Sequence, residues 1–389
     1  MVEGPLSGTV VVDLSRVLAG PYCTMILADL GARVIKVEVP GRGDDARHIG
    51  PFVGTSVGDR SAYFMSLNRG KESIALDLKV AADRGLFERL LSHADVLVEN
   101  YRAGTLDKLG YGWTTLHARY PRLIYAATSG FGQTGPYATR PAYDMVVQAM
   151  GGIMSLTGHP GSPPTRVGTS IGDIAAGLFT AVGVNAALYH RAQTGEGMML
   201  DVGMMDCQLA ILENAIARYI ATGDVPGPIG SRHPSITPFE AFATRDGHII
   251  IAAGNDALFR RLCATLERPE LADDARFATN DLRTRHCAEL KTEIEDALSR
   301  GTTAHWLELF GGAGLPCGPI QDVAQVLADP QIAARRMVVT ADDGATGPLR
   351  MAGNPIKMSA FEDSDSRAPA PALDADRGRL LRDFDLGDA

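Results

Sequence analysis

The chain has 389 residues, 45% hydrophobic and 21% charged, with 37 Lys and Arg against 46 Asp and Glu for a net charge of −9. That length supports a large core and predicts two domains, while the acidic balance argues against nucleic acid or an anionic membrane as the main partner. The five cysteines, Cys23, Cys207, Cys263, Cys287 and Cys317, share no C-x-x-C spacing, which argues against a disulfide scaffold or a zinc site.

The opening MVEGPLSGTVVVDLS has no basic segment followed by a long apolar one, so no signal peptide is expected. No apolar run is read as long enough to cross a bilayer, and the cytoplasm is the expected location. Strands are predicted at 9–15 (TVVVDLS), 33–39 (RVIKVEV), 94–100 (ADVLVEN) and 123–130 (LIYAATSG), with a helix at 21–31 closed by Gly31. Continuous apolar strands of this kind are buried on both faces and point to a parallel α/β sheet. Cys23, inside the helical run, reads as a small buried hydrophobe. A long helix is predicted from Ile174, then a strand at 198–204 and one helix over 205–223. The proline- and glycine-rich stretch 224–238 marks a domain boundary. Beyond it a strand at 248–255 and helices at 256–265, 279–299 and 302–311 describe a smaller α+β domain. A strand is predicted within 349–359, a short linker at DSDSRAPAPA, and a surface helix in the final charged stretch 373–387.

Several familiar chemistries lack their motifs. After the first strand comes RVLAGPYC in place of G-x-G-x-x-G, and neither GRGDD (41–45) nor GFGQTGP (130–136) opens a helix with dinucleotide spacing. The P-loop lysine, H-E-x-x-H and G-x-S-x-G are also missing. What remains is a set of basic residues after strands or in loops, Arg16, Lys79, Arg102, Lys108 and Arg140, where an α/β sheet presents its ligand edge. Together they would suit a polyphosphate; singly, each reads as a solvated charge. His233 reads as a packing or surface histidine in a proline-rich loop.

In GTSIGDIAAG (168–177) one acid, Asp173, stands among small residues where the long helix is expected to begin. It is either a helix N-cap or a nucleophile. In both readings the helix N-terminus favours the ionised carboxylate. The small neighbours Gly172, Ala175, Ala176 and Gly177 are expected to let a bulky substrate approach.

The segments RVLAGPYCTMILADLGARVIKVEVPGRGDDAR (16–47), AYFMSLNRGKESIALDLK (62–79), ADVLVENYRAGTLDKLG (94–110), GFGQTGPYATRPAYD (130–144), GTSIGDIAAG, RHPSITPFEAF (232–242) and GLPCGPI (314–320) resemble, in order, the class III CoA-transferases of the CaiB/BaiF type. The resemblance implies an α/β fold with a large Rossmann-like domain and a smaller α+β domain, two subunits being interlocked as a homodimer. It divides the chain into residues 1–224 as the CoA-binding domain, 225–325 as the small domain, and 326–389 as a return segment and tail on the large domain. It places the catalytic aspartate at Asp173, acting through covalent aspartyl intermediates. It places coenzyme A contacts at Val17, Leu18, Leu76, Lys79, Asn100, Tyr101, Arg102, Lys108, Arg140 and Tyr143; Val39 stands where an oxalate-specific branch has an arginine near the adenine. CoA thioesters are then substrates, no cofactor is permanently bound, and the acids exchanged are small, mainly dicarboxylic, with succinyl-CoA as donor. Arg47 and Arg232 are candidates for a second carboxylate. The same fold also hosts 2-methylacyl-CoA racemases with a histidine–aspartate pair; the pair aligned with it here is Tyr143–Asp144, and tyrosine is a poor base near neutrality. A non-catalytic acyl-CoA binding protein would not need Asp173.

Overall fold

The computed structural model describes residues 3–54, 60–344 and 346–387, and the chain divides into two compact units. The first comprises Met1–Met154, Arg166–Val225 and Pro330–Ala389; the second comprises Ser155–Thr165 and Pro226–Asp329. The second unit thus takes in a short proline- and glycine-rich excursion, 155–165, that the sequence reading did not mark as a boundary.

The first unit is built on a six-stranded sheet of β1 (Val10–Asp13), β2 (Arg33–Glu38), β3 (Glu72–Ala75), β4 (Val96–Glu99), β5 (Ile124–Ser129) and β6 (Met199–Gly203). All its pairings are parallel, in the order β3-β2-β1-β4-β5-β6. Every residue of β3, β4 and β5 is buried, which accounts for the apolar runs Val96–Val98 and Ile124–Ala127, while Glu72, Ser73, Glu99, Thr128 and Ser129 are polar groups buried with them. This order reverses direction between β1 and β4, and open α/β sheets hold ligands at such a switch point, beyond the carboxyl ends of the strands.

Helices α1 (Ala19–Asp29), α2 (Ala81–Ser92), α3 (Asp144–Met150) and α4 (Ile171–Thr194) cover the sheet. The α1–α4 crossing brings Cys23, Leu27 and Ala28 against Ala181, Val184 and Ala187 over the apolar strands. Cys23 is fully buried, and burial pushes its thiol well above the ordinary range. A Cβ at Gly177 would stand 2.8 Å from the Ala19 carbonyl oxygen, so this glycine allows α4 to lie close against the start of α1. Gly172, Ala175 and Ala176 are likewise buried in helix packing, contrary to the expectation that they make room for substrate.

By length and composition α4, at 24 residues, could cross a membrane, which corrects the reading that no apolar run is long enough. In the fold its inner face is packed on the sheet and on α1, while Leu178, Phe179, Val182 and Tyr189 are exposed. The expected single helix over 205–223 is two, α5 (Met204–Ala210) and α6 (Asn214–Thr222), broken where Glu213 takes φ +52°.

The chain's last segment returns to this unit. In it, β10 (Val338–Asp342) pairs antiparallel with β11 (Pro348–Ala352). Asp374 and Asp376 accept from the amides of Ala75 and Ser73, so tail carboxylates satisfy donors on edge strand β3. The final helix, Arg377–Asp383, is not purely a surface element: Leu380, with Phe384 and Leu386 beyond it, enters the core beside Ile74 and Leu86.

The second unit carries an antiparallel sheet of β7 (Phe239–Ala243), β8 (His248–Ala252) and β9 (Cys317–Pro319), with β8 central. Helices α7 (Asp256–Thr265), α8 (Asn280–Arg285), α9 (Cys287–Leu298) and α10 (Thr303–Gly312) accompany it, so the helix expected at 279–299 is interrupted at His286. Arg283 is fully buried and donates to the carbonyls of Thr237, Phe277 and Gly254. His233 stacks on Phe239, with ring centroids 5.3 Å apart, as a packing residue does.

Candidate active site

At the carboxyl end of β1 the chain turns through Ser15–Leu18 into α1. Val17 takes φ +66°, a left-handed conformation disfavoured for a β-branched residue by roughly 1–2 kcal/mol. Three hydrogen bonds from two side chains hold the turn there. Asp44 accepts from the Val17 amide at 3.0 Å. Asn100 uses both ends of its carboxamide on Arg16, accepting from its amide at 2.8 Å and donating to its carbonyl at 2.7 Å. Beneath the turn lies a buried charge network. Lys36 pairs with Asp44 at 2.9 Å and donates to the Ser15 carbonyl, while Lys71 pairs with Asp13 at 3.0 Å and donates to Thr24 and Asn68. Burial opposes ionisation of Asp13, but Lys71, Lys36 and the hydroxyls of Ser15 and Thr24 outweigh it and hold the carboxyl far below its usual range.

The turn forms one wall of a cavity of ≈ 180 Å³ at the β1/β4 switch point. Asn100–Arg102 after β4, Thr128–Gly130 at the end of β5, and Arg140–Tyr143 complete it, and Asp173 enters from α4. Leu18, the residue capping α1, makes no side-chain cap bond, and the helix has proline at its third position. The uncapped helix end lines the cavity at Leu18 and Ala19, and a helix N-terminus favours a partial negative charge. The Ser129 hydroxyl is buried in the wall without a hydrogen-bond partner among the described residues. Below Tyr101, Glu99 accepts from the Tyr101 amide and the Tyr125 hydroxyl; burial, above all, pushes its carboxyl up to about 7.

Helix α4 begins at Ile171, not Ile174, so Asp173 is its third residue and not its N-cap. The group that meets the helix end is Asp144, whose Oδ1 accepts from the Gly172 amide at 2.8 Å while Oδ2 accepts from Gln148 at 2.8 Å. Asp173 is left mostly buried, with no salt-bridge partner among the described residues and a second carboxylate nearby. Burial first and the Asp144 charge second push its carboxyl up to about 7. The expectation that the helix N-terminus keeps this acid strongly ionised is thus overturned. A helix end stabilises an anion by only ~0.3–1 kcal/mol, whereas a rise from 3.8 to about 7 corresponds to several kcal/mol against ionisation.

The family model for CoA-transferase family III matches residues 6–377. The chain belongs to that family. Over 98% of its length it is 48% identical to an acetyl-CoA:oxalate CoA-transferase of Acetobacter aceti, covering 96% of that protein. It is 41% identical to a succinyl-CoA:mesaconate CoA-transferase of Haloarcula hispanica, over 99% of this chain and 97% of that one. The crystal structure of a CAIB/BAIF family protein from Brucella suis, 40% identical, superposes with a TM-score of 0.86 over 98% of this chain and 99% of the other. The protein is therefore a CoA-transferase by family, and the mixed α/β fold with its parallel sheet is the family's.

For this transferase the structure gathers Val17, Leu18, Asn100, Tyr101, Arg102, Arg140 and Tyr143 with Asp173 around one cavity. Leu76, Lys79 and Lys108 do not line it. Leu76 is a core residue packed with the strand face, and Lys79 and Lys108 are exposed. Arg47 is already committed: it forms a bidentate pair with Glu38, donates to the Pro371 carbonyl and lies over the Phe64 ring. Arg232 lies in the second unit, and Val39 is half exposed and outside the cavity lining. Among the described residues no histidine lines the cavity, and Tyr143, at the position aligned with the racemases' histidine, is exposed. The sequence reading named Asp144 only as the partner of Tyr143 in the racemase alignment, not as the acceptor at the start of α4, and it missed Ser129 and the Asp13–Lys71–Lys36–Asp44 network. Charged residues inside strands expected to be buried on both faces were the available signal for the network.

Proposed function

We propose that Asp173 is the nucleophile of a CoA transfer from a short acyl-CoA, succinyl-CoA foremost, to a small dicarboxylic acid. The observation that carries this reading is a mostly buried carboxylate, with no salt-bridge partner among the described residues, that lines a cavity at the sheet's switch point. Its ionised form attacks the thioester carbonyl, forming an acyl–aspartyl anhydride and expelling CoA thiolate. The thiolate then attacks the aspartyl carbonyl, giving an aspartyl-CoA thioester and releasing the donor acid. An acceptor carboxylate attacks that thioester, thiolate leaves again, and its attack on the new anhydride's acyl carbonyl yields the product thioester and free Asp173. No bond energy need come from elsewhere, because a thioester is present at the start and the end.

Each feature of the site has a use in this sequence. A carboxylate with raised pKa is a stronger nucleophile once deprotonated, and near neutrality a large fraction is deprotonated. The start of α1 lines the cavity at Leu18 and Ala19 with no side-chain cap, so its amides are candidates to stabilise a carbonyl oxygen gaining charge. Arg102 and Arg140, which have no ion-pair partner among the described residues, suit CoA phosphates. A cavity of ≈ 180 Å³ holds the thioester end while the nucleotide extends outside it. The substrate class follows the relatives, whose acceptors are the diacids oxalate and mesaconate. We also assign the interlocked homodimer and a cytoplasmic setting. The exposed Leu178, Phe179, Val182 and Tyr189 of α4, with Ile220 and Val225 beyond, form an apolar face of the kind a second subunit covers.

The test is intact-protein mass spectrometry after mixing with succinyl-CoA and then hydroxylamine. A hydroxamate mapped to Asp173 in the natural protein, and none in Asp173→Ala, is expected. Transfer that persists in Asp173→Ala would exclude the mechanism.

A further inference from the structure

The first turn of α4 borders a second cavity. It measures ≈ 350 Å³, and among its lining residues are Leu18, Tyr22, Tyr63, Arg166, Ser170 and Ile174. Leu18 lines both cavities, Asp173 lines the first, and its sequence neighbour Ile174 lines the second, where the Asp173 charge also acts on Tyr63. The walls are apolar or hydroxyl-bearing, and Arg166 is the one charged residue lining it among the described residues.

Arg166 differs from most arginines of this unit. Arg33, Arg47, Arg69 and Arg367 each pair with carboxylates at close range. Arg166 makes one long ion pair, 3.8 Å to Asp144 Oδ2, and its guanidinium donates no hydrogen bond among the described residues. The Tyr63 hydroxyl, in the same cavity, is also without a hydrogen-bond partner there, while the nearby Asp173 charge helps, after burial, to push its phenol up to about 12. A guanidinium with unspent donors and a phenol that stays protonated form a receptor for a carboxylate.

We propose that this cavity holds the distal carboxylate of the acid being exchanged, with Arg166 as its anchor, while the proximal carboxyl group reacts at Asp173. The assignment rests on the nucleophile reading above. It makes Arg166 a specificity-determining residue. A diacid satisfies the guanidinium, whereas the matching monoacid leaves it facing a methyl group.

The experiment compares kcat/KM for succinate against butyrate and for glutarate against valerate, in the natural protein, Arg166→Gln and Arg166→Lys. The natural protein is expected to favour the diacid of each pair. Arg166→Gln should lower the diacid-to-monoacid ratio about 10- to 100-fold, the loss of one charge-assisted contact, with Arg166→Lys between the two. An unchanged ratio overturns the proposal, as does a natural protein that favours monoacids. An equal fall for both acids with a displaced pH profile also overturns it, because that marks an influence through Asp144 alone. Hydroxylamine trapping at Asp173 from acetyl-CoA, which has no distal carboxylate, shows that each variant is folded and keeps its nucleophile. Its absence in the natural protein would sink the nucleophile reading and leave the ratio to judge Arg166 separately.

Discussion

Two carboxylates of the first unit, Asp13 fully buried and Asp173 mostly so, have opposite environments. Asp13 sits on the floor beneath the β1 turn with Lys71 at 3.0 Å, two hydroxyls in contact and Lys36 close by, and its proton is lost far below the usual pH. Asp173 has no such partner, and its neighbour is another acid, so its proton is held until about pH 7. Burial acts on both in the same direction; the neighbours decide the outcome. The lesson is one of division of labour. Asp13 spends its charge on fixing the geometry of a strained turn, while Asp173 keeps its charge unspent for chemistry.

The largest effect should come from the unspent charge. Asp173→Ala should lower CoA transfer by about 10⁴-fold or more, the scale on which removing a covalent nucleophile acts, while leaving binding of CoA itself, measured by calorimetry, nearly intact. Next comes the spent charge. Lys71→Met strands Asp13 without its cation and should cost about 3–5 kcal/mol in denaturant unfolding. Replacing both, as Asp13→Leu with Lys71→Met, should recover part of that loss, since an apolar pair is tolerated better than half an ion pair. A Lys71→Met protein as stable as the natural one would erase the distinction between the two acids.

The contrast was only partly legible in the sequence. The strands were, because parallel strands buried on both faces are mainly apolar, as Val96–Val98 and Ile124–Ala127 are. The start of α4 was misplaced by a turn because its cap is not local: Asp144, 28 residues before Gly172, supplies the acceptor. The break between α5 and α6 carries no proline or glycine, and only the positive φ of Glu213 reveals it. Of the CoA positions carried by family likeness, Val17, Leu18, Asn100, Tyr101, Arg102, Arg140 and Tyr143 converge on one cavity, but Asn100 spends its carboxamide on the Arg16 backbone. Which cations are free, and which are already paired as Arg47 is, depends on long-range packing that spacing does not encode.

The third effect concerns stability. The folded protein holds the Asp173 proton up to about pH 7, whereas the unfolded chain releases it near 3.8. Between those values the folded state binds more protons, so this contribution is fully present below about 3.8 and is lost as pH rises through about 7. Because the side chain is partly exposed, the cost at pH 8 is about 2–4 kcal/mol. Asp173→Asn, which cannot ionise, should therefore raise the unfolding midpoint at pH 8 and have little effect at pH 4. A gain of the same size at both pH values would mean that the buried charge is not its source.

The finest distinction lies between the two causes that raise Asp173. Burial is the larger and the Asp144 charge the smaller; Asp144→Asn removes the second while keeping an oxygen to accept the Gly172 amide, though it gives up the acceptor for Gln148 and the ion pair with Arg166. In the natural protein kcat/KM should rise with pH through about 7, as the nucleophile in free enzyme ionises. In Asp144→Asn that limb should move to lower pH, because the like charge that disfavoured the carboxylate is gone. It should not fall to the ordinary carboxylate range, because burial remains. The maximal rate above the limb should drop, since a less basic carboxylate is a weaker nucleophile. An unmoved limb would assign the whole rise to burial, and a limb moved upward would show that Asp144 serves Asp173 through its hydrogen bonds to Gly172 and Gln148 and not through its charge.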